Sequence, residues 1–73
     1  MRRKHKKTKK SLEAAKAEAL KLSQNFPTIL YRVMDKKGKS AVACGSEWVY
    51  RERILDGYHT VTAYKGGEEV AHG

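Results

Sequence analysis

The sequence is poor in the residues that cross-link small proteins or fill large cores. Its 73 residues include one cysteine (Cys44), one proline (Pro27) and one phenylalanine (Phe26). A single thiol excludes an intrachain disulfide, the usual support of small secreted domains, so we expect an intracellular location: cytoplasmic, or nuclear in a eukaryotic host. No uninterrupted apolar run is long enough to predict a signal sequence or a transmembrane segment.

Side chains that could bind a metal or act in catalysis are few and scattered. Three histidines, His5, His59 and His72, and Cys44 show none of the spacings typical of metal ligands. Cys44 and His59 alone lack a third, orienting group, and the glycines do not match a phosphate-binding loop. A domain of about 60 residues also leaves little room for a deep substrate cavity. We therefore expect no metal, no cofactor, no catalytic residue and no enzymatic activity.

Acidic residues are absent from the first ten positions, where seven of the sixteen lysines and arginines lie. The remaining 63 residues carry nine basic and eight acidic side chains, so the formal charge divides into +7 on this segment and +1 on the rest. Like charges repel, and nothing apolar accompanies them that could be buried. We predict a disordered basic arm over residues 1–10, followed by a single small domain over residues 11–73.

An amphipathic helix is predicted directly after the basic arm. Apolar residues recur there at spacings of three and four, namely Leu12, Ala15, Ala19, Leu22 and Phe26. Ser11 is a suitable N-cap, and Pro27 disfavours helical geometry at the residue before it. These signals predict a helix over Leu12–Asn25. Because its buried face is mainly alanine, we expect it to pack closely on a small sheet.

A first β-hairpin is predicted after this helix. Residues 28–34 are mostly β-branched, aromatic or apolar, with Tyr31 and Val33 on one face and the residues between them on the other. The sequence Asp-Lys-Lys-Gly at residues 35–38 is typical of a type I turn. Residues 40–44 then resume an extended pattern and complete the hairpin.

A second hairpin is predicted near the end of the chain. Residues 58–64 alternate between polar and apolar side chains, Lys-Gly-Gly at residues 65–67 supplies the positive φ angles of a tight turn, and residues 68–71 return. A final strand this short would leave an open edge if it were outermost in the sheet.

Residues 45–57, between the hairpins, fit two local structures. Ser46 as an N-cap, an Asp-Gly stop, and Trp48 and Leu55 seven residues apart favour a short helix, whereas the alternation around Trp48 also fits a strand extension. The helix is the preferred interpretation. The predicted fold class is α+β, with the N-terminal amphipathic helix packed on a small antiparallel sheet of two β-hairpins and a short second helix between them. The sequence does not predict the strand order.

The basic arm predicts a polyanionic partner, and nucleic acid, either DNA or RNA, is the leading hypothesis. Each Lys or Arg that neutralises a phosphate releases condensed counterions, an interaction without sequence preference. Selectivity would then come from the domain, where an aromatic ring flanked by basic residues could stack on an unpaired base. The predicted nucleic-acid-binding residues are Arg2, Arg3, Lys4, Lys6, Lys7, Lys9, Lys10, Lys36, Lys37, Lys39, Trp48, Arg51 and Arg53.

Other interpretations of the same residues stay open. The arm could be a solubilising tail, a nuclear import signal or a contact to anionic lipid. The aromatic rings, Trp48 included, could fill the core, and Arg51 and Arg53 could pair with acids such as Glu47 and Asp56 on a solvated face. The alternative function is a protein-interaction module, a small adaptor or inhibitor. It would present a strand edge or the Trp48 region, with the arm docking on an acidic partner surface.

Overall fold

The structure is a computed structural model that describes residues 11–37 and 40–70. These residues form two helices, each followed by two strands. In chain order they are α1 (Leu12–Asn25), β1 (Tyr31–Asp35), β2 (Ala41–Cys44), α2 (Glu47–Leu55), β3 (His59–Lys65) and β4 (Glu68–Val70). The strands form one antiparallel sheet in the order β2-β1-β3-β4, so the two hairpins meet along β1 and β3. The predicted α+β class is confirmed. The basic arm, with its predicted disorder, lies outside the described residues.

Helix α1 begins and ends where the sequence predicts. The Ser11 Oγ accepts a hydrogen bond from the Ala14 N–H at 3.1 Å, which satisfies one of the free donors of the first turn. At the other end, the Phe26 N–H donates to the Leu22 carbonyl at 2.8 Å, and Pro27 prevents the helix from continuing. Local capping chemistry therefore sets both ends of the helix.

The buried face of α1 is shorter than the predicted apolar stripe. Ala15 and Ala19 are fully buried against the sheet, as expected, but Leu12 is exposed at one end and Phe26 is 51% exposed at the other. The third fully buried residue of α1 is a polar one, Ser23. A helix of 14 residues is about 21 Å long, and this small sheet covers only its middle.

Strand β1 begins at Tyr31, three residues later than predicted. The Ile29 N–H donates to the Phe26 carbonyl at 3.1 Å, which closes a tight turn around Pro27. Proline sets the φ angle that the second position of such a turn requires. The β-branched residues after Pro27 are therefore drawn into the turn, and a strand prediction from propensity alone was wrong for residues 28–30.

The connection between β1 and β2 is not the predicted type I turn. Lys37 has a φ of 49°, whereas the third position of a type I turn needs a φ near about −90°. The Lys36 N–H donates to the Ser40 carbonyl at 3.0 Å, so the loop closes over a longer span than residues 35–38. The hairpin itself is confirmed, with Val33 opposite Ala43.

A bulge in β3 puts Thr60 and Thr62, which are two residues apart, on opposite faces of the sheet. Val33 pairs with Thr62, but the next residue of β1, Met34, pairs with Thr60, so Val61 is the extra residue. Thr62 therefore shares the α1 side with Val33, and Thr60 shares the opposite side with Met34. Both faces need a cover, since Val33 and Met34 are each fully buried.

Helix α2 confirms the preferred interpretation of residues 45–57. The Ser46 Oγ accepts from the Val49 N–H at 3.3 Å, and Gly57 follows the helix with a φ of 99°. None of the residues of α2 is buried. The spacing of Trp48 and Leu55 correctly indicates a helix, but these two side chains face solvent rather than the core.

The second hairpin has the turn that its glycines predict. Gly66 and Gly67 have φ angles of 64° and 82°, and Lys65 pairs with Glu68 directly around them. Two consecutive positive φ angles define a type I′ turn, which matches the twist of the flanking strands. Strand β4 lies at the edge of the sheet.

Candidate functional site

Two of the predicted binding residues meet around Tyr58. The Lys36 Nζ lies 5.7 Å and the Arg53 Cζ 5.5 Å from the centroid of the Tyr58 ring, both within the range of cation–π attraction. We call these three residues the Tyr58 cluster. The Tyr58 N–H donates to the Arg53 carbonyl at 3.0 Å, and its hydroxyl is 3.1 Å from the Ser40 Oγ. The end of α2 and the β1–β2 loop therefore share one basic surface.

The positive charge of Arg53 is not neutralised by a carboxylate in the described part of the chain. Its Nε is buried without a hydrogen-bond partner, and its guanidinium lies over Tyr58. Arg51, in contrast, pairs with Glu47 at 3.8 Å, and both of these side chains are exposed. The solvated-face interpretation thus holds for Arg51, whereas Arg53 lies over Tyr58 instead of pairing with an acid in the described part of the chain.

Arg32, which the sequence did not single out, attaches α2 to the sheet. Its Nη1 lies 3.3 Å from the Glu47 Oε1, and its Cζ is 4.0 Å from the centroid of the Tyr50 ring. The Tyr50 hydroxyl also accepts from the Thr60 Oγ1 at 3.5 Å. The Arg32 side chain is only 18% exposed. The sequence contained one signal for this contact, the charged Arg32 between the buried residues Tyr31 and Val33 of β1. It indicates that polar groups cover the face of the sheet on which Arg32 lies.

Trp48 and Arg51 lie on the other side of α2 from the Tyr58 cluster. Trp48 is 70% exposed, whereas Tyr31 is buried in the core beneath α1. The interpretation of the aromatic rings as core residues is therefore right for Tyr31 and wrong for Trp48. Leu55 lies beside Trp48, on the side of α2 away from Arg53, and it is 87% exposed. The predicted binding residues of the domain are thus split between two surfaces.

The remaining predicted nucleic-acid-binding residues are Lys37, Lys39 and those of the basic arm. Lys37 is exposed directly after Lys36. Lys39 and the seven basic residues of the arm lie outside the described residues.

Within residues 11–37 and 40–70, no group of histidine, cysteine or acidic side chains is arranged to hold a metal ion, and neither helix is long and apolar enough to cross a membrane. Cys44 is buried, and its Sγ donates to the Ser46 carbonyl at 3.3 Å.

Fold and surface together define a small α+β domain with a strongly basic N-terminal segment. Comparisons with protein-family models, with curated proteins and with solved structures found no match to this chain. A fold alone does not determine a function, so charge and exposed side chains are the features of this domain that indicate one.

Proposed function

We propose that this protein binds nucleic acid, largely without sequence preference, and that the basic arm supplies most of the phosphate contacts. The observation that carries the proposal is the charge distribution, with seven basic residues and no acid among the first ten against a nearly balanced remainder. Duplex DNA presents one charge per about 1.7 Å of its axis, so a short basic segment reaches many phosphates without a fixed conformation. Counterion release then favours binding.

The Tyr58 cluster adds a second, smaller contact for phosphate. Lys36 and Arg53 are held beside the same ring, and Lys37 follows directly in the loop. Because Arg53 has no carboxylate partner among the described residues, an incoming phosphate does not have to displace one. This surface would orient the domain on the backbone, while the arm supplies affinity.

The test is a fluorescence-anisotropy titration of the full chain against single- and double-stranded DNA and RNA at about 50 to 200 mM salt. A full-length variant with glutamine at the seven basic positions of the arm serves as the comparison. We expect submicromolar binding at low salt for the native chain, with a log–log salt slope to which the arm contributes up to about six, and a remaining slope of about two for the variant. Absence of binding by the native chain at 50 mM salt contradicts the proposal.

The contribution of the Tyr58 cluster is measured by removing charge in two places. The variant Lys36→Gln/Lys37→Gln loses the charge beside Tyr58 and the next charge in the loop, and the matched control Lys16→Gln/Lys21→Gln loses two charges on α1. We expect the first variant to lower the salt slope by about two and the control to lower it by less. Equal losses would show that net charge alone matters and would remove this surface from the proposal.

The second candidate function is a protein-interaction module, and the exposure of Trp48 and Leu55 is the observation that favours it. In that case the arm contacts an acidic partner surface, which speeds association more than it strengthens the complex. The same titration separates the two functions, because an interaction module shows no binding to any of the four nucleic acids at low salt.

A further inference from the structure

Helix α1 runs from one end of the sheet to the other. Near its C-terminal end, the Ser23 Oγ accepts from the Gly67 N–H at 3.0 Å, which places this part of α1 at the β3–β4 turn. Near its start, Ala15 belongs to the same buried cluster as Ala41, the first residue of β2. The helix is about 21 Å long. Its N-cap, Ser11, therefore lies at the end of the sheet that carries the β1–β2 loop.

The Tyr58 cluster lies at this same end of the sheet. Strand β1 ends at Asp35, which pairs with His59, the first residue of β3. Lys36 directly follows one member of this pair, and Tyr58 directly precedes the other. The basic arm, which is bonded to Ser11, is thus attached at the end of the domain that also carries the cluster. We call this end the basic end; its described residues are Ser11, Lys36, Lys37, Arg53 and Tyr58.

The arm is long enough to share one partner with the Tyr58 cluster. Ten residues in extended form span at most about 33–36 Å. The distance across one helix layer and the sheet is on the order of 20 Å. A single polyanion at the basic end can therefore contact both groups of positive charge.

The exposed aromatic rings among the described residues, Phe26 and Trp48, lie away from the basic end. Phe26 follows the last residue of α1, at the opposite end of the domain. Trp48 lies in the first turn of α2, five residues before Arg53 and so about 140° around the helix from it. Proteins that bind single strands place exposed rings beside their cations, so that unpaired bases can stack. Neither exposed ring is in that position.

The other rings on the α2 side of the sheet hold cations of the protein itself. Lys36 and Arg53 lie over the Tyr58 ring, at 5.7 and 5.5 Å from its centroid. Arg32 lies over the Tyr50 ring at 4.0 Å. A base that stacked over either ring would compete with these cations. The rings therefore position positive charge and do not serve as platforms for unpaired bases.

We propose that the basic end binds double-stranded nucleic acid, with one duplex contacting both the arm and the Tyr58 cluster. This inference rests on the proposed function and names its substrate class. In a duplex the bases are already stacked on one another, so phosphate contacts suffice for binding. A duplex also carries one charge per about 1.7 Å of its axis, about twice the density of either strand within it. The cations of the basic end thus meet more phosphates on a duplex than on a single strand.

The substrate class is tested by anisotropy with a strand of about 20 nucleotides that does not pair with itself, and with the duplex that it forms with its complement. Both carry the same label, and DNA and RNA versions are titrated in parallel with the full chain at about 0.1 M salt. We expect the duplex to bind at least about tenfold more tightly and with the steeper salt slope. A single strand that binds as tightly as its duplex overturns the inference.

Trp48 gives a second, independent measurement, because it is the sole tryptophan. It lies outside the basic end, so its emission should stay unchanged when the duplex saturates the protein, whereas a base stacked on the indole would quench it. The variant Trp48→Leu should bind the duplex as tightly as the native chain does. Weaker duplex binding by this variant would place the nucleic acid on the other side of α2 and overturn the inference.

Two substitutions of equal charge distinguish the two ends of the domain. Glu13→Gln, in the exposed first turn of α1, and Glu68→Gln, exposed beside the β3–β4 turn, each remove one negative charge. At about 0.1 M salt, exposed charges more than about 10 Å apart are largely screened from one another. We therefore expect Glu13→Gln to bind the duplex about two- to threefold more tightly and Glu68→Gln to bind it like the native chain. Equal effects would show that the duplex does not contact one end of the domain.

Circular dichroism of each variant confirms that a change in binding is not a loss of fold. Single-strand binding that equals duplex binding, or equal effects at Glu13 and Glu68, overturns this inference and leaves the proposed function standing. A chain that binds none of the nucleic acids even at about 50 mM salt contradicts the proposed function and this inference together.

Discussion

Ser23 joins α1 to the far hairpin, and its removal should cost a measurable part of the stability. The Ser23 Oγ donates to the Leu20 carbonyl at 2.8 Å and accepts from the Gly67 N–H at 3.0 Å, and the side chain is fully buried. The second bond links residues 44 positions apart, between the last part of α1 and the β3–β4 turn. It therefore acts on tertiary structure and not only on the helix.

The magnitude follows from the two hydrogen bonds. Each contributes about 0.5–1.5 kcal/mol net, so Ser23→Ala loses about 1–3 kcal/mol. Alanine recovers about 0.5 kcal/mol through its higher helix propensity. The expected loss is about 0.5–2.5 kcal/mol, a large fraction of the free energy of unfolding of so small a domain. The Gly67 amide should also exchange faster with solvent, because its acceptor is gone.

Urea denaturation followed by circular dichroism measures the loss, and hydrogen exchange of the Gly67 amide locates it. The control is Lys21→Ala, an exposed position two residues earlier on α1, which should change the stability by less than about 0.5 kcal/mol. If Ser23→Ala is no less stable than this control, or if the Gly67 amide is unaffected, the reasoning about a tertiary hydrogen bond is refuted.

Three further substitutions test other contacts by the same denaturation assay. Gly45→Ala places a Cβ 2.5 Å from the Tyr31 Cε1, and since Tyr31 is buried we expect a loss of about 1–3 kcal/mol; an unchanged midpoint would mean that the ring moves freely. Arg32→Lys keeps the charge but loses the planar stack on Tyr50, so about 1 kcal/mol should be lost, and full stability would show that the stack contributes nothing. Ser46→Ala removes the N-cap of α2 and should lower the free energy of unfolding by about 1 kcal/mol. An unchanged stability would show that tertiary contacts, and not the cap, determine where α2 begins.

The sequence was most informative where local chemistry decides the structure. The ends of α1 follow from Ser11 and Pro27, and the start of α2 follows from Ser46. The type I′ turn follows from two adjacent glycines, because few other residues accept two positive φ angles. In each case the interaction that fixes the element lies within a few residues of it.

The sequence was misleading where a choice between two faces depends on distant residues. The bulge at Val61 has no local signature, yet it turns Thr60 and Thr62 to opposite sides of the sheet. Likewise, the seven-residue spacing of Trp48 and Leu55 shows that they share a face but not that this face points away from the domain. Periodicity identifies a face, whereas only tertiary packing determines what that face meets.

Because side chains alternate along β1, Met34 lies on the side opposite α1 and needs a cover there, and the groups that meet α2 on this side include Arg32, which pairs with Glu47 and stacks on Tyr50. Polar groups therefore hold α2 against this side of the sheet, and Trp48 and Leu55 are left on the exposed side of the helix.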